Sequence, residues 1–137
     1  MKATSNLIII LLAIFTSGCE KDNTEATTGI IGEWKLVEEK IGSGLTGDPV
    51  IFEPVQSNKV IVFFNDGTFS SNGEMCIMSN QASSQNIGSF YESLLSIEPD
   101  GCQSTAPTSG IKYQIDADTL IIGYPCYEEC QQKYSRI

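Results

Sequence analysis

Five cysteines are the residues of this 137-residue chain whose type and spacing could support chemistry: Cys19, Cys76, Cys102, Cys126 and Cys130. Cysteines form disulfides, bind zinc or act as redox nucleophiles. A zinc site usually contains two Cys-x₂₋₄-Cys knuckles, and Cys126-x₃-Cys130 is one knuckle without a second. A redox pair normally has two intervening residues, whereas this pair has three. The spacing therefore favours disulfides over metal or redox chemistry.

Other catalytic groups are scarce. The chain has no histidine, which excludes Ser-His-Asp, Cys-His and histidine–metal sites. Glu128 and Glu129 are adjacent, so on a strand they would face opposite ways. Asp116-x-Asp118 lacks the further ligands of a calcium loop and is typical of a hairpin turn. No glycine-rich phosphate loop opens a helix. We expect neither catalysis nor a metal or cofactor.

The N-terminus carries the pattern of an export signal. Lys2 supplies a positive charge, nine apolar residues follow at Leu7–Phe15, and small residues precede Cys19. Nine residues are about half of the roughly 20 that a membrane-spanning helix needs. The spacing resembles a bacterial lipoprotein signal, although Thr16 stands where leucine is commonest. An ordinary secretory signal cleaved near Gly18 and an uncleaved cytosolic start are the alternatives.

The lipoprotein resemblance implies that residues 1–18 are removed and that Cys19 is lipidated. Each buried acyl CH₂ contributes about 0.8 kcal/mol, so several chains on one cysteine anchor the protein to a membrane without a spanning segment. We expect a lipid-anchored cell-envelope protein, at the outer membrane and facing the periplasm or the cell surface. Residues 19–29 are predicted to form a flexible tether. Its start, Glu20–Asn23, resembles a surface-export signal of Bacteroidota lipoproteins and is equally compatible with a soluble tether.

With Cys19 assigned to lipid, four cysteines remain. An even number in a small exported domain indicates two disulfides, with three possible connectivities. We favour Cys76–Cys102, which closes a long loop, and Cys126–Cys130, which requires a turn because residues four apart on an extended strand are too distant to bridge.

Length and charge limit the class of protein further. Removing residues 1–18 leaves 119 residues, which suit a single domain. Lys2 is the only charged residue removed, so the net charge falls from −9 to −10. This acidity, with basic residues scattered along the chain, argues against nucleic-acid binding.

Alternating apolar residues predict six to eight short strands and no long amphipathic helix. A first strand begins at Gly32, and the strongest hairpin signal joins 59–64 to 68–70 through Asn65-Asp66-Gly67. Alternation at 111–115 and 120–124 predicts a second hairpin, and 133–137 a closing strand. This spacing indicates an antiparallel barrel or sandwich.

The run from Val60 to Phe64 is apolar on both faces, which exceeds the need of a half-buried strand. A covering layer would explain it, and so would a ligand-lined interior. We therefore select as candidate ligand-binding residues those that could line such an interior: Val60, Val62, Phe64, Tyr113 and Tyr124. A ligand would enter near the loops Gly42–Val55 and Ser79–Ser89.

Several of these segments together resemble lipocalin-like lipoproteins of Bacteroidota over about residues 30–137. The segments are Gly32-Glu33-Trp34, the hairpin from Ile61 to Phe69, Tyr113 to Ile122, and Tyr134-x-Arg136. The resemblance implies a small antiparallel β-barrel in which Arg136 packs over Trp34 to close one end. The chain departs from true lipocalins in being short and in having its disulfides in its second half.

Two functions follow as expectations. The first is a membrane-anchored, non-catalytic module that binds a small apolar or amphipathic ligand inside the barrel. The second is a structural or protein-interaction lipoprotein with a filled core, because a small barrel can be filled by its own side chains.

Overall fold

The computed structural model describes residues 29–42, 49–102 and 110–137. Residues 1–28, with the predicted signal, Cys19 and almost all of the tether, lie outside these ranges, as do residues 43–48 of a predicted entry loop. The described residues contain no α-helix, and one turn of 3₁₀ helix lies at Glu92–Leu94. The strands are β1 (Gly32–Ile41), β2 (Glu53–Pro54), β3 (Val60–Phe63), β4 (Thr68–Ser71), β5 (Asn86–Tyr91), β6 (Ser96–Pro99), β7 (Ile111–Asp116), β8 (Thr119–Tyr124) and β9 (Cys130–Arg136).

Eight of these strands form a closed antiparallel barrel, which confirms the all-β barrel prediction. From β3 to β9, each strand pairs with the next. The first half of β1 pairs with β3, and β9 pairs with β1 from Trp34 opposite Arg136 to Ile41 opposite Cys130. The short β2 pairs with β1 beyond β3, at Glu38 and Glu39. Closure leaves no free sheet edge between β1 and β9.

The barrel has two different ends. Antiparallel pairing places the short turns after β3, β5 and β7 at the end where β1 begins, together with residues 29–31 and Ile137; we call this the turn end. The connections after β1, β4, β6 and β8 lie at the opposite end, which we call the loop end. The predicted tether therefore joins the domain at the turn end.

A β-bulge in β1 changes which residues face the interior. Trp34 and Leu36 are buried, and the pairing with β9 shifts between Leu36 and Glu38, so that Val37 is the extra residue. Beyond the bulge, Glu39 contacts the interior residue Gln132, whereas Glu38 pairs with Lys133 on the outside.

Hydrophobic side chains line the described interior. Strand alternation turns hydrophobic residues inward, and the ring centroids of Phe63 and Phe90 lie 5.2 Å apart in an edge-to-face contact. The buried hydrophobic residues form one cluster: Ile30, Trp34, Leu36, Ile61, Phe63, Phe69, Met75, Phe90, Ile97, Ile111, Tyr113, Leu120, Ile122, Tyr124 and Tyr134.

Two disulfides lie at the loop end and have the pairing favoured from the sequence. Cys76 pairs with Cys102, with their Cα atoms 5.4 Å apart. Cys126 pairs with Cys130 across 6.1 Å, in a turn that leads into β9. Both Cα distances lie in the usual range for disulfides.

Candidate functional site

The structure does not bring the five candidate ligand-binding residues together. Ile61 and Phe63 of β3 point inward, so the alternating residues Val60 and Val62 are half-buried on the outer face. Phe64 is exposed in the hairpin turn. Tyr113 and Tyr124, by contrast, are buried in the core. Because β3 is apolar on both faces, its sequence does not show which face is the inner one. The sequence analysis assigned Val60 and Val62 to the interior, whereas they lie on the outer face.

Val60 and Val62 instead line an open cleft of about 500 Å³ on the outer wall. Ser70 and Asn72 form another part of its lining, and residues 82–85 of the connection after β4 complete it. This connection therefore lies beside the outer face of β3 and shares the cleft with its half-buried valines.

The most unusual side chain in the interior is Lys59, which directly precedes β3 and is fully buried. Its Nζ atom donates to the backbone carbonyls of Glu74, at 2.6 Å, and Ser79, at 2.9 Å. The side-chain Oε1 of Gln132 is its third acceptor, at 3.2 Å. Three acceptors match the three hydrogens of an ammonium group.

Gln132 is the second member of this buried polar cluster and is fully buried as well. Its Nε2 atom donates to the Glu39 carboxylate at 2.6 Å and to the Ser79 carbonyl at 3.0 Å. Its Oε1 atom accepts from the Tyr134 hydroxyl at 2.6 Å, in addition to Lys59. Only the amide NH₂ can face two acceptors, so this network sets the orientation of the amide.

Burial dominates the electrostatics of the cluster. It lowers the pKa of Lys59 from 10.5 to about 8, although the nearby Glu39 and Glu74 carboxylates act to raise it. Burial likewise raises the pKa of Tyr124 and of Tyr134 well above 10. The Lys59 amine is thus closer to neutrality than an exposed lysine, and both phenols stay protonated.

This cluster holds residues 73–80, which we call the cap, against the loop end of the barrel. The cap carbonyls of Glu74 and Ser79 bind Lys59, and the Cys76–Cys102 disulfide ties the cap to the end of β6. A Cβ atom on Gly73 would lie 2.5 Å from the Gln81 carbonyl oxygen and 2.9 Å from the Lys59 side chain. The cap therefore packs directly on the lysine stem.

Sequence analysis missed Lys59, Gln132 and Glu39 as site residues. The alternation of residues along a strand could have indicated two of these three positions, because Lys59 shares a face with the buried Ile61 and Gln132 shares one with the buried Tyr134. The bulge at Val37 conceals the third residue, since strict alternation from Trp34 places Glu39 on the outside.

At the turn end, Arg136 stacks on the buried Trp34 ring with its guanidinium carbon 4.1 Å from the ring centroid. This is the arrangement that the resemblance implies. The Nη atoms of Arg136 donate to the carbonyls of Ile31 and Gly29, both at 2.7 Å. Trp34 Nε1 donates to the Ile30 carbonyl. The pair fixes the entry of the chain into β1.

Large apolar side chains are exposed at the loop end: Ile41, Ile51, Ile77 and Tyr127. Ile41 and Ile51 line a common cleft of about 280 Å³. Further exposed apolar residues lie at the turn end or on the wall: Phe64, Ile87, Tyr91, Leu94, Leu95 and Ile137.

The described ranges contain neither a candidate metal site nor a membrane-spanning helix. The acidic residues and cysteines there form no group of three or more that could hold a metal ion. No helix in that part of the chain is long and apolar enough to cross a membrane.

No protein-family model, curated protein or solved structure matches the chain.

Proposed function

We propose that the chain is a lipid-anchored, lipocalin-like lipoprotein of the cell envelope whose filled barrel presents a protein-interaction surface at its loop end. The observation that carries this proposal is the combination of a packed interior with exposed apolar residues on the loops. Ile41, Ile51, Ile77 and Tyr127 give that end apolar contact area, which is typical of sites where proteins bind. Catalysis is not part of the proposed function.

The cluster of buried hydrophobic residues favours interaction over ligand storage. One cluster of buried side chains extends from Trp34 near the turn end to Tyr124 near the loop end. Residues of the cap then cover the loop end, with Met75 buried among the core residues. A ligand inside this barrel would have to displace buried side chains, and forcing extra volume into a packed core typically costs about 1–3 kcal/mol.

The position of the predicted tether determines the orientation that a lipid anchor would give the barrel. Gly29 enters the barrel at the turn end, so a lipid on Cys19 would leave the loop end facing away from the membrane. The predicted tether of residues 19–29 could reach about 35 Å when fully extended. The apolar residues of the loop end would then be accessible to a partner.

Labelled palmitate tests the anchor. The full chain should incorporate the label, whereas a Cys19→Ser variant should incorporate none. Incorporation that persists in Cys19→Ser would contradict the proposed lipidation site.

Native mass spectrometry of full-length Cys19→Ser protein tests the filled barrel. We expect a mass without bound ligand, both before and after reduction. A photoreactive residue at Tyr127 should yield a discrete protein adduct in intact cells, and the same residue at Phe64, on the turn end, should not. Equal adducts at both positions would contradict a specific loop-end surface.

A small amphipathic ligand in the outer cleft is the second candidate. The half-buried valines Val60 and Val62 under the polar residues 82–85 favour it, because an apolar floor with a polar rim suits such a molecule. Retained mass in native mass spectrometry that disappears in Val62→Glu would support this function over the first.

A further inference from the structure

A groove lies on the outer wall of the barrel, over β8; we call it the wall groove. In the sheet register, Gly123 of β8 lies between Lys112 of β7 and Gln131 of β9. Glycine has no side chain, so the row of outward side chains is interrupted there, and a Cβ added to Gly123 would meet no atom closer than 3.8 Å. The wall groove has a volume of about 330 Å³, within the range of about 300–1,000 Å³ that is typical of ligand sites.

The 3₁₀ turn between β5 and β6 forms the apolar side of this groove. It contributes Leu94 and Leu95, which are 62% and 48% exposed. Leu95 has a φ of +48°, in the left-handed region that favours glycine, and its carbonyl accepts from the Tyr113 amide of β7 at 3.0 Å. A half-exposed leucine in this conformation gains little from backbone preference or from burial, which favours a contact with another molecule.

Lys112 gives the wall groove a positive charge. Its Nζ atom donates to the Leu94 carbonyl at 3.3 Å, and no carboxylate in the described ranges forms an ion pair with it. An ammonium group has three hydrogens, so two remain for a ligand. None of the described lining residues is acidic, whereas Glu39 and Glu53 line the cleft at Ile51. In a chain of net charge −9, the wall groove is therefore a place where an anionic group can bind.

Two side-chain amides complete the lining. Gln114 of β7 and Gln131 of β9 line the wall groove, and neither amide has a hydrogen-bond partner in the described part of the chain. Each amide can both donate and accept, as the N–H and C=O groups of an extended peptide require. The tail of a fatty acid would leave both amides without a partner. The lining therefore favours a peptide over a simple lipid.

We propose that the wall groove binds an extended segment of a partner protein in which an acidic side chain adjoins an apolar one. The carboxylate pairs with Lys112, and the apolar side chain packs on Leu94 and Leu95. The backbone of the segment forms hydrogen bonds with Gln114 and Gln131. The wall groove shares no residue with the loop-end surface, and binding there does not require a lipid anchor.

NMR titration of isotope-labelled full-length Cys19→Ser protein tests the proposal. The probe is acetyl-Leu-Glu-Leu-amide, whose only carboxylate is that of the glutamate side chain. The probe should shift the backbone signals of residues 94–95, 112–114, 121–123 and 131. The same peptide with glutamine in place of glutamate should bind about threefold more weakly. An absence of shifts, or shifts at the loop end alone, would overturn the proposal.

A matched pair of lysine variants tests the ion pair. Lys112→Gln should weaken binding of the glutamate peptide about threefold and leave binding of the glutamine peptide unchanged. Lys35→Gln removes an exposed lysine of β1, outside the wall groove, and should change neither. Equal weakening in both variants would show that net charge, and not an ion pair with Lys112, controls binding, and the proposal would fall.

Two further variants test the shape of the groove. Gly123→Val fills its floor and should abolish the shifts. Leu95→Gly removes an apolar contact and also suits the left-handed backbone, so binding should weaken while the melting temperature stays the same or rises. Unchanged binding in both variants would exclude the wall groove as the site. A lower melting temperature in Leu95→Gly, with binding unchanged, would show that this leucine serves the fold alone.

Two other ligands test the class of partner. Decanoate should not displace the probe, and displacement at a lower concentration than that of the probe would assign the wall groove to fatty acids. Acetyl-Leu-Gln-Leu with a free terminal carboxylate should bind no more tightly than its amide, and tighter binding would assign the groove to chain termini. Either result would overturn the proposal. The loop-end surface is tested separately at Tyr127, so each proposal can fail without the other.

Discussion

At the residue scale, Lys59 can be buried because each of its hydrogens has a carbonyl acceptor. Desolvation opposes its charge, which is why its pKa falls to about 8, and Glu39 and Glu74 partly offset this effect. Among the described residues, no buried side-chain nitrogen or oxygen lacks a hydrogen-bond partner. The cluster is therefore fully satisfied, the condition under which a buried polar network specifies a single arrangement.

Tyr134 gives a pH-dependent prediction. Its pKa is raised in the folded state by burial, so the folded chain keeps a proton that the unfolded chain releases near pH 10. The free energy of unfolding should therefore fall as the pH rises above 10. Tyr134 should contribute about 1.4 kcal/mol per pH unit to this slope, and Tyr134→Phe should remove that share.

Chemical denaturation well above pH 10.5 measures this slope, because the Lys59 amine is neutral there whether or not the chain is folded. Tyr127→Phe is the matched control, since Tyr127 is fully exposed. An unchanged slope in Tyr134→Phe would show that the buried phenol does not account for the alkaline loss.

Arg136 gives a second prediction. Arg136→Lys keeps the positive charge but loses the planar stack on Trp34 and the two-pronged donation to Ile31 and Gly29. The free energy of unfolding should fall by about 2 kcal/mol. Asp118→Asn, which removes only an exposed ion-pair partner, should cost less than about 1 kcal/mol. If urea titrations gave Arg136→Lys and Asp118→Asn equal losses of unfolding free energy, the stabilisation by Arg136 would come from its ion pair with Asp118.

At the element scale, the cap is the segment whose position depends most on close contact. An added Cβ at Gly73 collides with the Gln81 carbonyl and with the Lys59 stem. Gly73→Ala should therefore lower the free energy of unfolding by about 1–3 kcal/mol. At Gly123 in β8 the nearest atom to an added Cβ is 3.8 Å away, so Gly123→Ala should be tolerated. Hydrogen exchange of residues 74–80 should rise in Gly73→Ala alone.

The sequence predicted elements wherever one alternating pattern was clear. Strand β7 alternates inward apolar and outward polar residues, and β8 turns Leu120, Ile122 and Tyr124 inward. Asn65-Asp66-Gly67 makes the predicted turn between β3 and β4. The predicted closing strand at 133–137 missed the start of β9, because residues 130–132 are mostly polar, yet β9 pairs with β1 along seven positions. Backbone pairing, which residue type hardly reveals, extends this strand.

The cap and its lysine could not be predicted in the same way. The position of the cap depends on backbone carbonyls of Glu74 and Ser79, and every residue has such a carbonyl. The contact between Glu39 and Gln132 joins residues far apart in sequence and depends on the bulge at Val37. Local patterns contain neither kind of information.

At the scale of the whole molecule, both disulfides stabilise the loop end, and the structure ranks them. Cys76–Cys102 spans 26 positions and holds the cap, whereas Cys126–Cys130 spans four and closes a single turn. Loop-closure entropy gives about 3.5 kcal/mol for the longer loop and about 2 kcal/mol for the shorter one. Replacing the first pair by serine should therefore lower the melting temperature more than replacing the second.

Hydrogen exchange gives this ranking a spatial test. Without Cys76–Cys102, exchange should rise in the cap, while β7 to β9, which pair along their lengths, stay protected. Without Cys126–Cys130, the increase should be confined to the turn before β9. Uniform loss of protection in both variants would mean that the barrel and its loop end unfold as one unit. Confined increases would establish the barrel wall as a rigid support on which the loop end can open independently, so that a partner could bind there without disturbing the core.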